Sequence, residues 1–262
     1  MTNILLSVII PSFKDPYLLK TIDSLLTTSE LGNQLEIIVA LDGYWPKTVL
    51  DDDRVRYIHL GKNRGMREAI NAGVLVSRGK YIMRTDEHCL FAPGFDKAIT
   101  NRIEDNWIVT AVQYCLDPVK WEVMDEKPVY YQKLKIRPEH FKFEGVKWHS
   151  RTRERKKYRL DETMAMQGSV WVMSRSWWDK VVGPLEVEGY GPMYQDSHEM
   201  VFKTWQAGGK LILNKTTWFA HKHVSFPRTH NYRREDYLPC LKYCLDKWKP
   251  YYEEVVKTRW KI

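Results

Sequence analysis

The chain has 262 residues, 44% of them hydrophobic and 13% aromatic, with a net charge of +8. That length buries roughly three quarters of the unfolded surface, and the composition argues against global disorder. No apolar run nears the roughly 20 residues that cross a bilayer, so a membrane-spanning class is not expected.

The opening "MTNILLSVIIPSFKDP" lacks a basic leader and a small-residue cleavage site, so it reads as a first strand and not a signal peptide. "ILLSVIIPSF" is a continuous apolar run closed by Pro11, the pattern of a buried parallel strand. "DPYLLKTIDSLLTT" follows, with Leu18, Leu19, Ile22, Leu25 and Leu26 at helical spacing and Asp15 as its expected N-cap. "LEIIVALDG" and "VRYIHL" are further strands, "NRGMREAINAGVLVS" is a helix, and "KYIMRTD" is the fourth strand. Strands alternating with helices predict a parallel, doubly wound α/β sheet, in which ligands gather outside the carboxyl ends of the strands. Three such ends carry special residues: Pro11–Ser12–Phe13, Asp42–Gly43 and Asp86–Glu87–His88.

The second half predicts a helix in "APGFDKAITNRIED", a strand in "WIVTAVQYCL", and a strand running into a helix in "MAMQGSVWVMSRSWWDKVVG". A glycine-ended helix in "DSHEMVFKTWQAGG" and a strand in "KLILNKTTWFAHKH" complete a domain of residues 1–226. Residues 227–262 read as a helical extension. Between these elements, 133–159 holds eleven Lys/Arg against three Glu. It reads either as a solvated basic loop insertion (133–160) or as a surface for a polyanion, with Phe141, Phe143, Trp148 and Tyr158 placed to stack on bases. The cysteines, Cys89, Cys115, Cys240 and Cys244, show no CxxC spacing and predict a reduced, cytoplasmic setting. Cys240 and Cys244, one helical turn apart, read as packing residues.

Asp86 and His88 lie two apart, so in extended chain their side chains point the same way. A carboxylate and an imidazole at a strand end suit a divalent cation of the kind that neutralises a leaving diphosphate. A third ligand must come from elsewhere, and His221 and His223 are the candidates. Asp196 and Glu199 form an acidic pair that suits either a helix N-terminus or general-base chemistry. His198 beside them is a further candidate.

The chain resembles GT-A fold glycosyltransferases of family 2, through "SVIIPSFKDPYLLKTIDSLL", "EIIVALDG", "NRGMREAINAGVLVSRGKYIMRTDEH" and "GSVWVMSRSWWDKVVG", in that order. "DEHC" and "DSHEMVFKTWQAGG" resemble more specifically the polypeptide N-acetylgalactosaminyltransferases. The resemblance implies a Rossmann-like, mostly parallel sheet flanked by helices. It implies a UDP-sugar donor with Mn²⁺ or Mg²⁺, and puts the third metal ligand on His221 in preference to His223. It implies that Pro11, Ser12 and Phe13 line the nucleotide pocket and that Asp42 meets the uracil or ribose. Arg64 and Arg67 would face the pyrophosphate, Gln167 and Gly168 the donor sugar. Asp196, with Glu199, would act as base or orient the acceptor. One departure stands out: the family's Trp-Gly-Gly-Glu acceptor loop is here "MYQD".

The reading that follows is a hexosyltransferase acting on a hydroxyl. Its favoured acceptor is a hydroxymethylated pyrimidine in DNA, as in phage DNA modification, met by the basic segment and flipped out of its stack. Other readings are a surface glycan or protein acceptor, and a catalytically silent GT-A module that binds nucleotide-sugars or nucleic acid. A nucleotidyltransferase is disfavoured because "PSFKDP" has no glycine.

Overall fold

The computed structural model describes residues 3–227 and 234–262, so the start of the predicted extension at 228–233 lies outside the described residues. In chain order the first half contains β1 (Leu6–Ser12), α1 (Leu18–Thr28), β2 (Leu35–Leu41), β3 (Val55–His59), α2 (Met66–Val76), β4 (Tyr81–Thr85), β5 (Cys89–Phe91) and α3 (Phe95–Thr100). The second half contains β6 (Trp107–Asp117), β7 (Glu122–Val123), β8 (Gln132–Arg137), β9 (Lys142–Lys147), α4 (His149–Glu154), β10 (Leu160–Glu162) and β11 (Val170–Ser174). A short α5 (Arg175–Trp177), α6 (Asp196–Gln206), β12 (Lys210–Lys222), α7 (Arg234–Tyr251) and α8 (Lys257–Trp260) follow.

One large sheet has the order β10-β12-β6-β11-β4-β1-β2-β3, with β5 on β12 and β7 on β6. β1, β2, β3 and β4 run parallel, β11 runs against both β4 and β6, and β12 is parallel to β6. β12 therefore ends at the same edge as β4. Alternate side chains fill two cores. Ile9, Ile38, Ile82 and Trp171 pack with α2, α6 and α7, whereas Val8, Ile10, Val39 and Met83 pack with α1 and α3. The predicted buried strands are found: β1 and β2 are buried at every position.

One expectation is corrected. The basic insertion is not a loop: β8 and β9 form an antiparallel hairpin, and α4 follows. Leu134 and Phe143 from its inner face enter the core, and Trp148 packs on Trp260, with ring centroids 5.9 Å apart. Its cations are partly answered, since Glu144 holds Arg137 and Lys142 while Asp161 holds Arg151 and Arg155. The C-terminal helical extension is found as expected, with α7 packed on the body. Cys240, Cys244, Leu245 and Trp248 are buried in the same core as α6, which gives the two cysteines the packing role predicted for them.

Candidate active site

A cavity of about 780 Å³ opens at the carboxyl edge of the sheet. Pro11, Ser12 and Phe13 line it from the end of β1, Asp42 from the end of β2, and Asp86, Glu87 and His88 from the turn after β4. Gln167, Gly168 and Ser169 form another wall, and Asp196 and His198 another. The Phe13 ring meets Tyr44 edge-on at 5.9 Å, and Ser12 Oγ lies 2.6 Å from the Tyr44 hydroxyl.

Register brings the two halves of the metal motif together. β5 pairs with β12 so that Cys89 lies opposite His221, which puts His88 beside it. Asp86, His88 and His221 each offer an atom within 4.8 Å of the others. His221 Nε2 is 3.0 Å from Asp86 Oδ2 and 3.1 Å from His88 Nε2. His223 takes no part in this group. Asp15, expected as a helix cap, does something else. No side chain caps α1; Asp15 Oδ1 accepts the Tyr17 N–H at 2.8 Å, and Oδ2 lies 2.9 Å from His88 Nδ1. A carboxylate at Nδ1 holds the ring proton there and turns the Nε2 lone pair towards Asp86 and His221.

The electrostatics agree. Burial would raise the Asp86 carboxyl, but Arg84 and His221 beside it hold it well below the usual carboxylate range. Arg84 is itself buried, 2.5 Å from Asp86 Oδ1 and hydrogen-bonded to the Gly168 carbonyl, so it ties the motif to the 167–169 wall. Glu87 goes the other way: burial, reinforced by the charges of Asp15 and Asp86, pushes it up to about 8, and its Oε1 accepts the Phe13 N–H at 3.0 Å. Two imidazole nitrogens and one carboxylate oxygen suit a borderline divalent cation that completes its shell with ligand oxygens. Asp15, Arg84 and Glu87 were not foreseen as site residues. For Asp15 the only signal was its place three residues after the end of β1.

Asp196 opens α6 and is buried, and its Oδ2 has no hydrogen-bond partner. A Cβ on Gly168 would come within 3.2 Å of that oxygen. Tyr194 and Gln195, which stand where the resembled motif carries two glycines, adopt φ of +65° and +55°. Left-handed backbone without glycine costs roughly 1–2 kcal/mol per residue, so the turn that aims Asp196 is held under strain.

The sequence profile of glycosyl transferase family 2 matches residues 7–182. The chain belongs to that family. Polypeptide N-acetylgalactosaminyltransferase 4 of Mus musculus is 26% identical to this family 2 chain over 266 residues, 95% of this chain and 44% of the relative. A putative polypeptide N-acetylgalactosaminyltransferase 13 of Drosophila melanogaster is 25% identical over 270 residues, 91% and 46% respectively. The chain thus spans about half the length of the curated relatives it matches. The crystal structure of GalNAc-T7 with UDP, GalNAc and Mn²⁺ superposes with a TM-score of 0.71 at 16% identity, covering 84% of this chain and 44% of that one. The fold of this family 2 chain is the predicted GT-A fold.

Three expected site residues of the family 2 chain sit elsewhere. Arg64 points along the surface of α2 to Glu68, 3.1 Å away. Arg67 and Glu199 are wholly buried and paired with each other. Arg67 stacks 3.9 Å from the Tyr190 ring and donates to the Glu186 and Tyr194 carbonyls. Glu199 also binds Lys203 and the Glu186 N–H. Neither reaches the cavity; together they fasten the 186–195 segment that carries the turn before Asp196. The helical period put both on an inward face, where a buried charge must find its opposite. Asp42 lines the cavity, but its carboxylate is engaged by the Arg64 and Gly65 amides at 2.6 and 2.7 Å and by Asn63 at 3.0 Å. Gly65, at φ +96°, is required there, because a Cβ would lie 2.2 Å from Pro192.

Proposed function

We propose that the chain is a metal-dependent glycosyltransferase that moves a hexose-type sugar from a UDP-sugar to a hydroxyl. The observation that supports it most is the meeting of Asp86, His88 and His221 at the mouth of the strand-edge cavity. These three residues would hold Mn²⁺ or Mg²⁺. When bound, the cation supplies charge neutralisation for the departing diphosphate.

The chain's own groups do the rest. Asp15 keeps the His88 proton on Nδ1. Arg84 fixes the Asp86 carboxylate. Pro11, Ser12, Phe13 and Tyr44 wall the nucleotide end, and Gln167 and Gly168 flank the sugar. The free Asp196 oxygen accepts a hydrogen bond from the acceptor hydroxyl, and orients or deprotonates it. UDP release from a panel of UDP-sugars tests this. Turnover should require Mn²⁺ or Mg²⁺, and Asp86→Ala should lower it by about 10²-fold or more. Chelator-resistant turnover would reject the metal assignment.

A protein or glycan hydroxyl is the acceptor this reading favours, because both curated relatives are named polypeptide N-acetylgalactosaminyltransferases. The DNA acceptor loses its stacking argument. Phe143 is in the core, Trp148 is packed on Trp260, and only Phe141 and Tyr158 are exposed. The charge on the hairpin remains its support. Duplex binding that falls steeply with salt would revive it, and salt-independent or absent binding would end it. No helix among the described residues is long and apolar enough to cross a membrane. The cytoplasmic reading is supported by four free cysteine thiols.

A further inference from the structure

Outside the cavity wall, Cys115, Glu126 and His223 form a second group of ligating side chains, with donor atoms all within 4.8 Å of one another. They come from three segments: β6, the turn after β7, and the residue just past β12. Backbone bonds hold these segments in place. Met124 N donates to Cys115 O at 2.8 Å, and His223 N donates to Leu116 O at 3.2 Å.

Two of the three donor spacings suit a tetrahedral ion. Zinc with one sulfur, one nitrogen and one oxygen ligand sets its donors about 3.3–3.6 Å apart. Here Cys115 Sγ is 3.5 Å and His223 Nε2 is 3.6 Å from the same Glu126 oxygen. His223 Nδ1 lies 2.8 Å from Ser225 Oγ. Nδ1 also accepts the Ser225 N–H at 3.2 Å, so the ring proton lies on Nε2 towards Glu126 and leaves when a cation takes that position. Burial and the Glu126 charge push the Cys115 thiol up to about 11, so without a metal it stays protonated, and binding releases its proton to solvent.

We propose that Cys115, Glu126 and His223 bind a zinc-type divalent cation, with water as fourth ligand, and that this ion fastens the end of β12 to β6. A thiolate selects a softer ion than the cavity trio, which has no sulfur. The site is independent of the glycosyltransferase reading.

Cobalt(II) is the probe, because only a thiolate site gives a sulfur-to-cobalt charge-transfer band. Full-length protein stripped with chelator and titrated with Co²⁺ should develop that band at one equivalent, and Zn²⁺ should displace it. Cys115→Ser should abolish the band, and His223→Gln or the exposed, isosteric Glu126→Gln should weaken Co²⁺ binding about tenfold or more. Asp86→Asn should leave the band intact. No band in folded wild-type protein, or a band that survives Cys115→Ser, overturns the proposal.

Discussion

Asp15→Asn isolates the partner that orients His88. The Asp15 and His88 side chains are only 7% and 11% exposed, so salt and water screen their 2.9 Å contact little. Asn keeps an oxygen for the Tyr17 N–H, which preserves the turn into α1. Its amide nitrogen, placed against His88 Nδ1, would instead donate. The ring would then carry its proton on Nε2, where the cation needs a lone pair. Outer partners of ligating histidines contribute about 10–100-fold in metal affinity, or about 1.4–2.7 kcal/mol. The half-saturating Mn²⁺ concentration for UDP release should therefore rise about 10–100-fold, while the rate at saturating Mn²⁺ changes little. The shift of the melting temperature with Mn²⁺ should weaken in parallel. A folded Asp15→Asn protein with unchanged Mn²⁺ dependence would refute this role.

Glu199→Gln leaves Arg67 buried without its counter-charge, and should cost about 3–5 kcal/mol in denaturant unfolding; a loss under 1 kcal/mol would show that the pair is not the fastening it is taken to be. His198 has both ring nitrogens buried without a partner, and burial, with Lys142 adding to it and Glu144 opposing, lowers it to about 4. The unfolded chain then binds a proton that the native state refuses between about pH 6.5 and 4, so stability is full above pH 6.5 and falls by about 3 kcal/mol as pH drops to 4. His198→Phe should flatten that part of the pH–stability curve; an unchanged slope would remove His198 as its source.

The sheet was legible because its signals are local. The apolar runs of β1 and β2 need both faces covered, and their polar ends mark the ligand edge. The pair Asp86 and His88 was legible for the same reason, since two residues apart in extended chain share a side. Resemblance, and not spacing, chose His221 over His223. The β8–β9 hairpin was hidden because its inner face, Leu134, Phe143 and Gly145, is diluted by the charges on the other face. Arg67 and Glu199 misled because charged residues in the first turn of a helix suit a ligand or catalytic role, and the inward helical face that both occupy was given too little weight.

Local pattern alone determined an α/β chain with acidic and imidazole groups at its strand ends. Tertiary structure decided which of them meet. Between Asn214 and Trp218, β12 advances four residues while β6 advances one, from Ala111 to Val112. That irregularity adds an odd number of residues and resets which side chains face the cavity. It puts His221 against His88 and His223 beside Cys115, a choice of partner between segments more than 100 residues apart that no local pattern encodes.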